Sequence, residues 1–145
     1  MNHDRIDTNE FKENFANEIQ TFSKLTDKKS KGFRAPTFSL NKSSSWIIDS
    51  LGKSNYTYDS SVVPVKTELY GIPDAEIRPY RISSKSLEKD DESGRIIEFP
   101  ILLTKFLGKK IPAGGGFYLR TLPSRIIKNA INNYQKQKIP ATFYI

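Results

Sequence analysis

The residues best suited to do chemistry lie around Arg34, within the octapeptide Gly32–Ser39. Pro36 fixes its own φ angle and pushes the residue before it toward extended geometry, so Arg34 has little freedom in its direction. A guanidinium held in this way suits the bidentate binding of a carboxylate. The sequence offers no obvious partner, and an ordinary surface pairing of Arg34 with Glu98 or Asp59 stays open.

Other polar side chains are weaker candidates. His3 is the only histidine, and it is either a metal ligand or an exposed residue near the N-terminus. One histidine does not hold zinc, which takes three or four protein ligands. Asp59, in the run Tyr-Asp-Ser-Ser, suits a polar pocket and equally suits a turn or a helix cap. Tyr118 and Arg120 follow a glycine turn at residues 114–116 that lacks the Lys-Ser/Thr of a phosphate-binding loop.

Hydrophobic spacing predicts the elements that must position these residues. An amphipathic helix is expected over residues 7–27, because apolar side chains recur there at helical spacing. A strand is expected over residues 32–38, then a helix over residues 46–51 that Gly52 ends, then a strand over residues 56–60. This αβαβ order is typical of a parallel α/β layer.

The second half of the chain is less regular. Residues 62–95 contain three prolines and a charged stretch, which predict a long loop insertion. A strand is expected over residues 96–99 and a helix from residue 123 to about residue 136, whereas residues 102–111 fit neither period. A short apolar strand is expected over residues 141–145.

Composition limits the class of protein. The 145 residues are 37% hydrophobic and 27% charged, so residues 1–145 are expected to form a single domain with one core. The net charge is +7, but the cations are dispersed and no nucleic-acid motif occurs, so we expect no nucleic-acid partner. No apolar run approaches the ~18 residues that span a bilayer. Because the start of the sequence is also polar, without the apolar core of a signal peptide, we expect a cytoplasmic protein with no membrane span.

Six short segments, in the same order, resemble the polysaccharide deacetylases (NodB-like, carbohydrate esterase family four). A bacterial and archaeal branch writes its third motif as Gly-aromatic-Arg-Ala-Pro-Ser/Thr-Phe-Ser, and a Trp-containing helix, Tyr-Asp-Ser-Ser and a glycine-rich segment follow it. Each segment alone is a weak signal, but together they cover roughly residues 3–145. The corresponding residues here are Gly32–Ser39, Trp46–Leu51, Tyr58–Ser61, Tyr70–Ala75, Glu98–Pro100 and Gly114–Arg120.

The resemblance implies an α/β fold, a distorted (β/α) barrel, and the hydrolysis of N-acetyl groups on an acetylated amino-sugar polymer or oligosaccharide. In this family a divalent metal such as zinc, held by one Asp and two His, activates a water molecule. A second Asp acts as the general base and a terminal His as the general acid. The Trp-containing helix, which carries Trp46, is expected to pack into the core.

Motif positions carry the family's roles onto particular residues. Arg34 would orient the base, the backbone N–H of Thr37 would help to stabilise the oxyanion, and His3 would bind the metal. We expect these three residues at one end of the sheet, facing an open cleft. The substrate-binding candidates from this sequence are Asp59, Tyr118 and Arg120.

Most of the catalytic set lies outside this sequence. The Thr-Phe-Asp-Asp motif and the first His of His-x-x-x-His would precede Met1, and the catalytic His-Pro-Trp would follow Ile145. We therefore expect the middle to C-terminal part of a deacetylase domain, a partial barrel that binds no metal tightly and is inactive alone. Two interpretations stay open: a deacetylase fragment, either truncated in the gene or completed by a second polypeptide, and a non-catalytic domain that binds carbohydrate or a partner.

Overall fold

A computed structural model of the chain describes residues 9–25, 29–67 and 70–145. In chain order, its elements are α1 (Asn9–Leu25), β1 (Gly32–Phe33), α2 (Trp46–Lys53), β2 (Tyr58–Asp59), β3 (Tyr80–Ile82), β4 (Ile96–Glu98), β5 (Leu103–Phe106), β6 (Lys109–Pro112), α3 (Gly116–Thr121) and α4 (Ser124–Lys136). Two short 3₁₀ turns, Pro36–Phe38 and Lys42–Ser44, separate β1 from α2.

The strands form a four-stranded sheet and a separate hairpin. The four-stranded sheet has the order β1-β2-β4-β3, in which β1, β2 and β4 are parallel and β3 is antiparallel to β4. The expected α/β class and the parallel pairing of the first two strands are therefore confirmed. Within the described ranges neither sheet closes, so β1 and β3 are free edges and a barrel is not formed by these strands.

The parallel register places three strand ends in one row. Phe33 pairs with Asp59, and Asp59 pairs with Glu98. Strands β1, β2 and β4 each end within two residues of this row. Pro36 follows β1, and Pro100 follows β4. A proline cannot donate to a sheet ladder, so the chain leaves the sheet at this edge. The carboxyl ends of β1, β2 and β4 consequently lie side by side.

The main core lies between the sheet and the first two helices. Its most deeply buried members are Leu51, Val62, Ile82 and Ile96, none of which is more than 1% exposed. Helix α1 reaches this core through an edge-to-face contact of Phe15 with Phe33, with ring centroids 5.8 Å apart. Such aromatic pairs add about 1 kcal/mol to the burial of their surface.

The first-half predictions differ from the structure at their ends. Helix α1 lies within the expected residues 7–27, whose outer positions fall outside the described residues. Gly52 does not end α2, which runs on to Lys53, because the left-handed residue that breaks the helix is Asn55 (φ 62°). The strand expected over residues 32–38 is only two residues long, since the chain turns into a 3₁₀ helix at Pro36.

The segment expected to be a long loop, residues 62–95, contributes to the sheet and the core. It contains β3, and its buried residues include Val62, Ile72 and Leu87. The phenol of Tyr80 donates a hydrogen bond to the carbonyl of Leu87, which holds the end of this segment against the sheet. The prolines predicted irregular backbone but not the burial of the side chains between them.

The last third of the chain packs as a hairpin beneath a helix. Residues 102–111, which fitted neither period, form the hairpin β5–β6, and the phenol of Tyr134 on α4 accepts a hydrogen bond from the backbone N–H of Leu103. The strand expected over residues 141–145 is reduced to two isolated bridges, at Thr142 and Tyr144. Among the described helices, none is long and apolar enough to cross a membrane.

Candidate functional site

Arg34 lies immediately beyond β1 and is fixed by the neighbouring strand. Its Nε donates to the carbonyl of Ser60 and its Nη2 donates to the hydroxyl of Ser60, both at 2.8 Å. The same hydroxyl donates to the carbonyl of Phe99 at 2.7 Å, so the residues after β1, β2 and β4 are joined by one chain of hydrogen bonds. Among the described residues no carboxylate forms an ion pair with Arg34. The guanidinium is thus oriented by neutral groups.

Aromatic rings surround the guanidinium of Arg34. Its Cζ lies 5.1 Å from the ring centroid of Tyr144 and 5.7 Å from that of Phe38. The rings of Tyr144 and Phe38 meet edge to face with centroids 5.5 Å apart, and the ring of Tyr70 also packs against Phe38, at 5.6 Å. A cation over aromatic faces is attracted by their electron density. The rings therefore hold Arg34 without neutralising it, and Tyr144 is half exposed.

Thr37 lies in an unusual turn directly after Arg34. Thr37 and Phe38 have φ angles of 54° and 53°, in the left-handed region that non-glycine residues seldom occupy. The turn is closed by Phe38 N–H donating to the Ala35 carbonyl at 3.0 Å, and by Ser39 N–H donating to the Pro36 carbonyl at 3.2 Å. The backbone N–H of Thr37 has no acceptor among the described residues and lies at an exposed position. Strain of this kind is concentrated at functional sites.

Two acidic side chains lie buried beneath this edge of the sheet. Asp59 and Glu98 are register partners at the ends of β2 and β4, and both are 0% exposed. Burial, the negative charge of Asp59 and their mutual hydrogen bond raise the pKa of Glu98 well above its usual value. Burial also raises the pKa of Asp59, against the lowering effect of its hydrogen bonds with Glu98 and Ser61. Just above the usual pKa of glutamate, the pair therefore keeps a proton that an exposed glutamate would already have released.

Hydrogen bonds carry this carboxyl pair up to the arginine turn. Glu98 Oε1 accepts from the backbone N–H of Val62 at 2.9 Å, and Asp59 Oδ1 accepts from the hydroxyl of Ser61 at 2.8 Å. That hydroxyl accepts in turn from the backbone N–H of Ala35 at 2.8 Å. The carboxyl pair thus fixes the backbone on both sides of the Arg34 site. Asp59 lies below the surface here, and its contact with a substrate stays a prediction.

Tyr118 and Arg120 approach the same site from helix α3. Burial and the nearby Tyr118 together raise the pKa of Tyr70, which is the ring that packs against Phe38. Arg120 is exposed, and its guanidinium folds back toward Gly116, beside the backbone of Tyr144. The fold therefore brings Tyr118 and Arg120 to the aromatic cluster around Arg34, although more than 80 residues separate them in sequence.

A cavity of about 310 Å³ opens along the free edge of β1. Phe15 and Phe22 of α1 line one side of it, and Gly32, Arg34 and Tyr56 line the other. The cleft expected to be shared by Arg34, Thr37 and His3 stays a prediction, because Thr37 does not line this groove and His3 lies outside the described residues. A larger cavity, of about 540 Å³, lies away from it, between the β5–β6 hairpin and α4.

The described residues do not fit a metal site. They contain no group of three His, Cys, Asp or Glu side chains close enough to bind one ion. His3, the predicted ligand, lies outside the described residues.

Several residues of the site escaped the sequence argument. Ser60 and Ser61 were seen only as part of a motif, yet they are the direct partners of Arg34 and Asp59. Glu98 and Asp59 each end a parallel strand, and that shared position is the signal that would have placed them together. Tyr144 was predicted only as part of the apolar strand over residues 141–145, not as a neighbour of Arg34.

A comparison with protein families decides where the chain belongs. Residues 60–145 match the family described as a domain of unknown function (DUF3473). The chain belongs to this family. No curated protein and no solved structure matches it.

The DUF3473 match divides the candidate site. It begins at Ser60, so it contains Ser60, Glu98, Tyr118 and Tyr144. Arg34 and its turn precede the matched residues and reach them through the hydrogen bonds to Ser60. The site is therefore formed between the DUF3473 domain and the helix–strand segment before it.

Proposed function

We propose that this chain forms the arginine-bearing part of the sugar site of a polysaccharide deacetylase, which hydrolyses N-acetyl groups on amino sugars. The observation that supports it best is Arg34, a cation fixed at the carboxyl ends of parallel strands without a carboxylate partner among the described residues. Active sites of α/β barrels form at this end of the strands. DUF3473 domains lie within polysaccharide deacetylase-like proteins, which supports the same assignment.

Arg34 is suited to orient an anionic catalytic group. Its Nε and Nη2 are held by Ser60, while Nη1 has no acceptor among the described residues. A guanidinium binds carboxylates through paired donors, so a general base placed beside Nη1 would be held in one orientation. The rings of Phe38 and Tyr144 prevent the side chain from swinging away.

Thr37 is suited to stabilise developing negative charge. Its backbone N–H is exposed, and the left-handed turn that presents it is closed by two backbone hydrogen bonds. A donor that is already fixed needs no rearrangement when charge develops on a carbonyl oxygen. Tyr118 and Arg120, on the facing helix, would contact the sugar with an aromatic ring and a cation.

The metal ligands, the base and the acid would come from residues other than those that the structure describes. The free edge of β1 and the groove beside it support a further parallel strand at this position, as in a partial distorted barrel. A strand that precedes α1 would pair with β1 through the right-handed crossover that such units adopt. The function therefore depends on a complete sheet.

We propose as a second candidate sugar binding without hydrolysis, which is supported by the Arg34 site itself: a fixed cation beside aromatic rings can hold a sugar without a metal. Both proposals use the Arg34 site for the sugar. They differ in whether hydrolysis follows once the missing motifs are supplied.

Sugar binding is expected at the Arg34 site. In a two-dimensional NMR titration with N-acetylated chito-oligosaccharide, we expect shifts of the backbone amides of Thr37, Ser60 and Tyr118. Arg34→Ala is expected to weaken binding about tenfold or more, since Nη1, which has no base beside it among the described residues, would donate a charged hydrogen bond to the sugar that the variant loses. The matched control is Arg81→Ala, because Arg81 forms an exposed ion pair with Asp90 outside the site. Unchanged binding in Arg34→Ala, or equal loss in Arg81→Ala, would contradict the proposal.

Acetate release separates hydrolysis from binding alone. The chain by itself, with added zinc or cobalt, is expected to release no acetate from the same oligosaccharide. A single polypeptide that joins the chain to segments bearing the Asp-Asp, His-x-x-x-His and His-Pro-Trp motifs is expected to release acetate. In that polypeptide Arg34→Ala should reduce the rate by roughly a hundredfold or more. Binding without acetate release from the joined polypeptide would support the second function.

A further inference from the structure

The tip of the β5–β6 hairpin exposes apolar side chains. Leu107 is 87% exposed and Phe106 is 37% exposed. Phe106 pairs with Lys109, so Leu107 and Gly108 form the two-residue turn between the strands. Two neighbouring apolar residues at the outermost point of a hairpin are an unusual choice, because this position is open to water.

The backbone of this turn disfavours leucine. Leu107 has φ 48° and Gly108 has φ 78°, the pair of left-handed conformations that a two-residue hairpin turn requires. Asn, Asp and Gly are favoured at the first position, and a bulky residue with positive φ is strained. Leu107 is therefore unfavourable in two ways, through its backbone and through its exposure, and the fold itself gains no packing from it.

The hairpin is also strongly cationic. Lys105, Lys109 and Lys110 are exposed on its strands, and Lys105 and Lys110 are direct cross-strand partners. All 16 acidic residues of the chain lie in residues 1–98, whereas residues 99–145 contain eight of the 23 basic residues. The first part thus carries a formal charge of −1 (15 − 16) and the last part +8 (8 − 0).

We propose that the hairpin tip, residues 105–110, inserts into the interface of an anionic lipid bilayer. Leu107 and Phe106 would enter the boundary between headgroups and acyl chains, and the three lysines would contact anionic headgroups beside them. Their long aliphatic stems allow the ammonium groups to stay at the polar level while the tip goes deeper. This inference goes beyond the proposed function, because it concerns a surface that is separate from the Arg34 site.

Reversible membrane binding requires two weak contributions together, here the attraction of lysines to anionic headgroups and the insertion of an apolar side chain. Each lysine near an anionic surface strengthens binding about fivefold, and insertion of an apolar side chain adds roughly tenfold or more. Lysines alone would serve a soluble polyanion equally well. The exposed, strained Leu107 favours the bilayer, because only an apolar medium rewards that side chain.

Vesicle co-sedimentation of the whole chain tests the proposal. We expect binding to vesicles of phosphatidylcholine mixed equally with phosphatidylglycerol, and weak binding to pure phosphatidylcholine. Leu107→Asn is expected to weaken binding about tenfold or more while raising the melting temperature, since Asn suits the left-handed turn. The two opposite effects distinguish loss of insertion from loss of folding.

Charge variants test the lysines. Lys109→Gln with Lys110→Gln is expected to weaken binding roughly twentyfold and to reduce its dependence on salt. The matched control is Lys85→Gln with Lys89→Gln, which removes two exposed charges from the part of the chain that contains the acidic residues. This control is expected to bind as the wild type does.

A fluorescent label reports insertion directly. The chain has no cysteine, so Leu107→Cys provides a single thiol for an environment-sensitive dye. We expect a blue shift with anionic vesicles at position 107 and none for the same dye at Lys89→Cys. Unchanged binding in Leu107→Asn, no shift at position 107, or complete competition by soluble polygalacturonate would each overturn the proposal.

Discussion

Glu98→Gln is expected to remove a loss of stability that the wild-type chain suffers as the pH rises above about 4.5. The pKa of Glu98 is raised by burial and by Asp59, so the folded chain keeps a proton that the unfolded chain releases near its usual pKa of about 4.3. Stability is therefore fully present below that pH and falls as pH rises toward the folded-state pKa. The slope is about 1.4 kcal/mol per pH unit for one retained proton.

Glutamine is the matched replacement because it resembles the protonated acid. Its Oε1 can accept from the backbone N–H of Val62, as Glu98 does, and its amide N–H can donate to Asp59. We expect the variant and the wild type to agree within about 1 kcal/mol at pH 4.5, since both are then neutral at this position. At pH 7 the variant should be the more stable of the two, because the wild-type chain has by then lost part of the stability that the retained proton gives it.

Urea unfolding between pH 4.5 and pH 8, followed by the fluorescence of Trp46, measures this difference. Two other shifted carboxyls titrate below this window: the hydrogen bonds from Arg81 lower the pKa of Asp90 to about 2, and those from Ser83 and Ser93 lower the pKa of Asp91. Burial raises the pKa of Asp59, which titrates together with Glu98 as one pair. The control is Glu92→Gln, the same change at an exposed carboxyl. Parallel stability curves for Glu98→Gln and the wild type would show that Glu98 is ionised in the folded chain, contrary to the expectation.

Gly71→Ala is expected to destabilise the chain by roughly 3–5 kcal/mol. Gly71 has φ 118°, which an L-residue adopts only with strain. A Cβ atom there would overlap the carbonyl oxygen of Val65 and come within 3.4 Å of the carbonyl oxygen of Val63. That second carbonyl accepts from the backbone N–H of Ile72 at 2.9 Å, so the loop cannot open without losing a hydrogen bond.

Gly108→Ala is the control for Gly71→Ala. Gly108 also has a positive φ, of 78°, but no atom lies within 4 Å of its Cβ position. It should cost only about 1–2 kcal/mol, the strain of a left-handed alanine. Urea unfolding of both variants separates the energetic cost of backbone strain from the cost of steric overlap at the added Cβ atom. Equal effects of the two changes would mean that the loop around Gly71 yields easily.

The Gly71 loop also connects stability to the candidate site. Tyr70 is the residue before Gly71. Its ring packs on Phe38, and the guanidinium of Arg34 lies over the ring of Phe38. A Gly71→Ala chain that remains folded is therefore expected to bind N-acetylated chito-oligosaccharide less well. Gly108→Ala should leave that binding unchanged, because it lies at the hairpin tip.

The local elements of this chain follow from short-range patterns. Helix α1 was predicted from apolar residues at helical spacing, and α4 from Pro123 at its start. The position of Arg34 at a strand end was predicted from Pro36, because a proline fixes its own backbone. These predictions succeed because spacing and backbone restriction act within a few residues.

Only the tertiary structure shows which residues that lie far apart in sequence contact each other. Arg34 was predicted without its partner Ser60, and Asp59 and Glu98 were not recognised as a buried pair. Pairing depends on the order and register of strands, which a single sequence does not specify when each strand is two or three residues long.

The sequence by itself determined helices α1, α2 and α4 and the placement of Arg34 directly after a strand. The structure decided that the strand ends meet at one edge of an open sheet, with Tyr144 folded back over Arg34 from the far end of the chain. The physical reason is that local propensity acts over a few residues, whereas the ionisation of Glu98 and the exposure of Leu107 depend on everything packed around them.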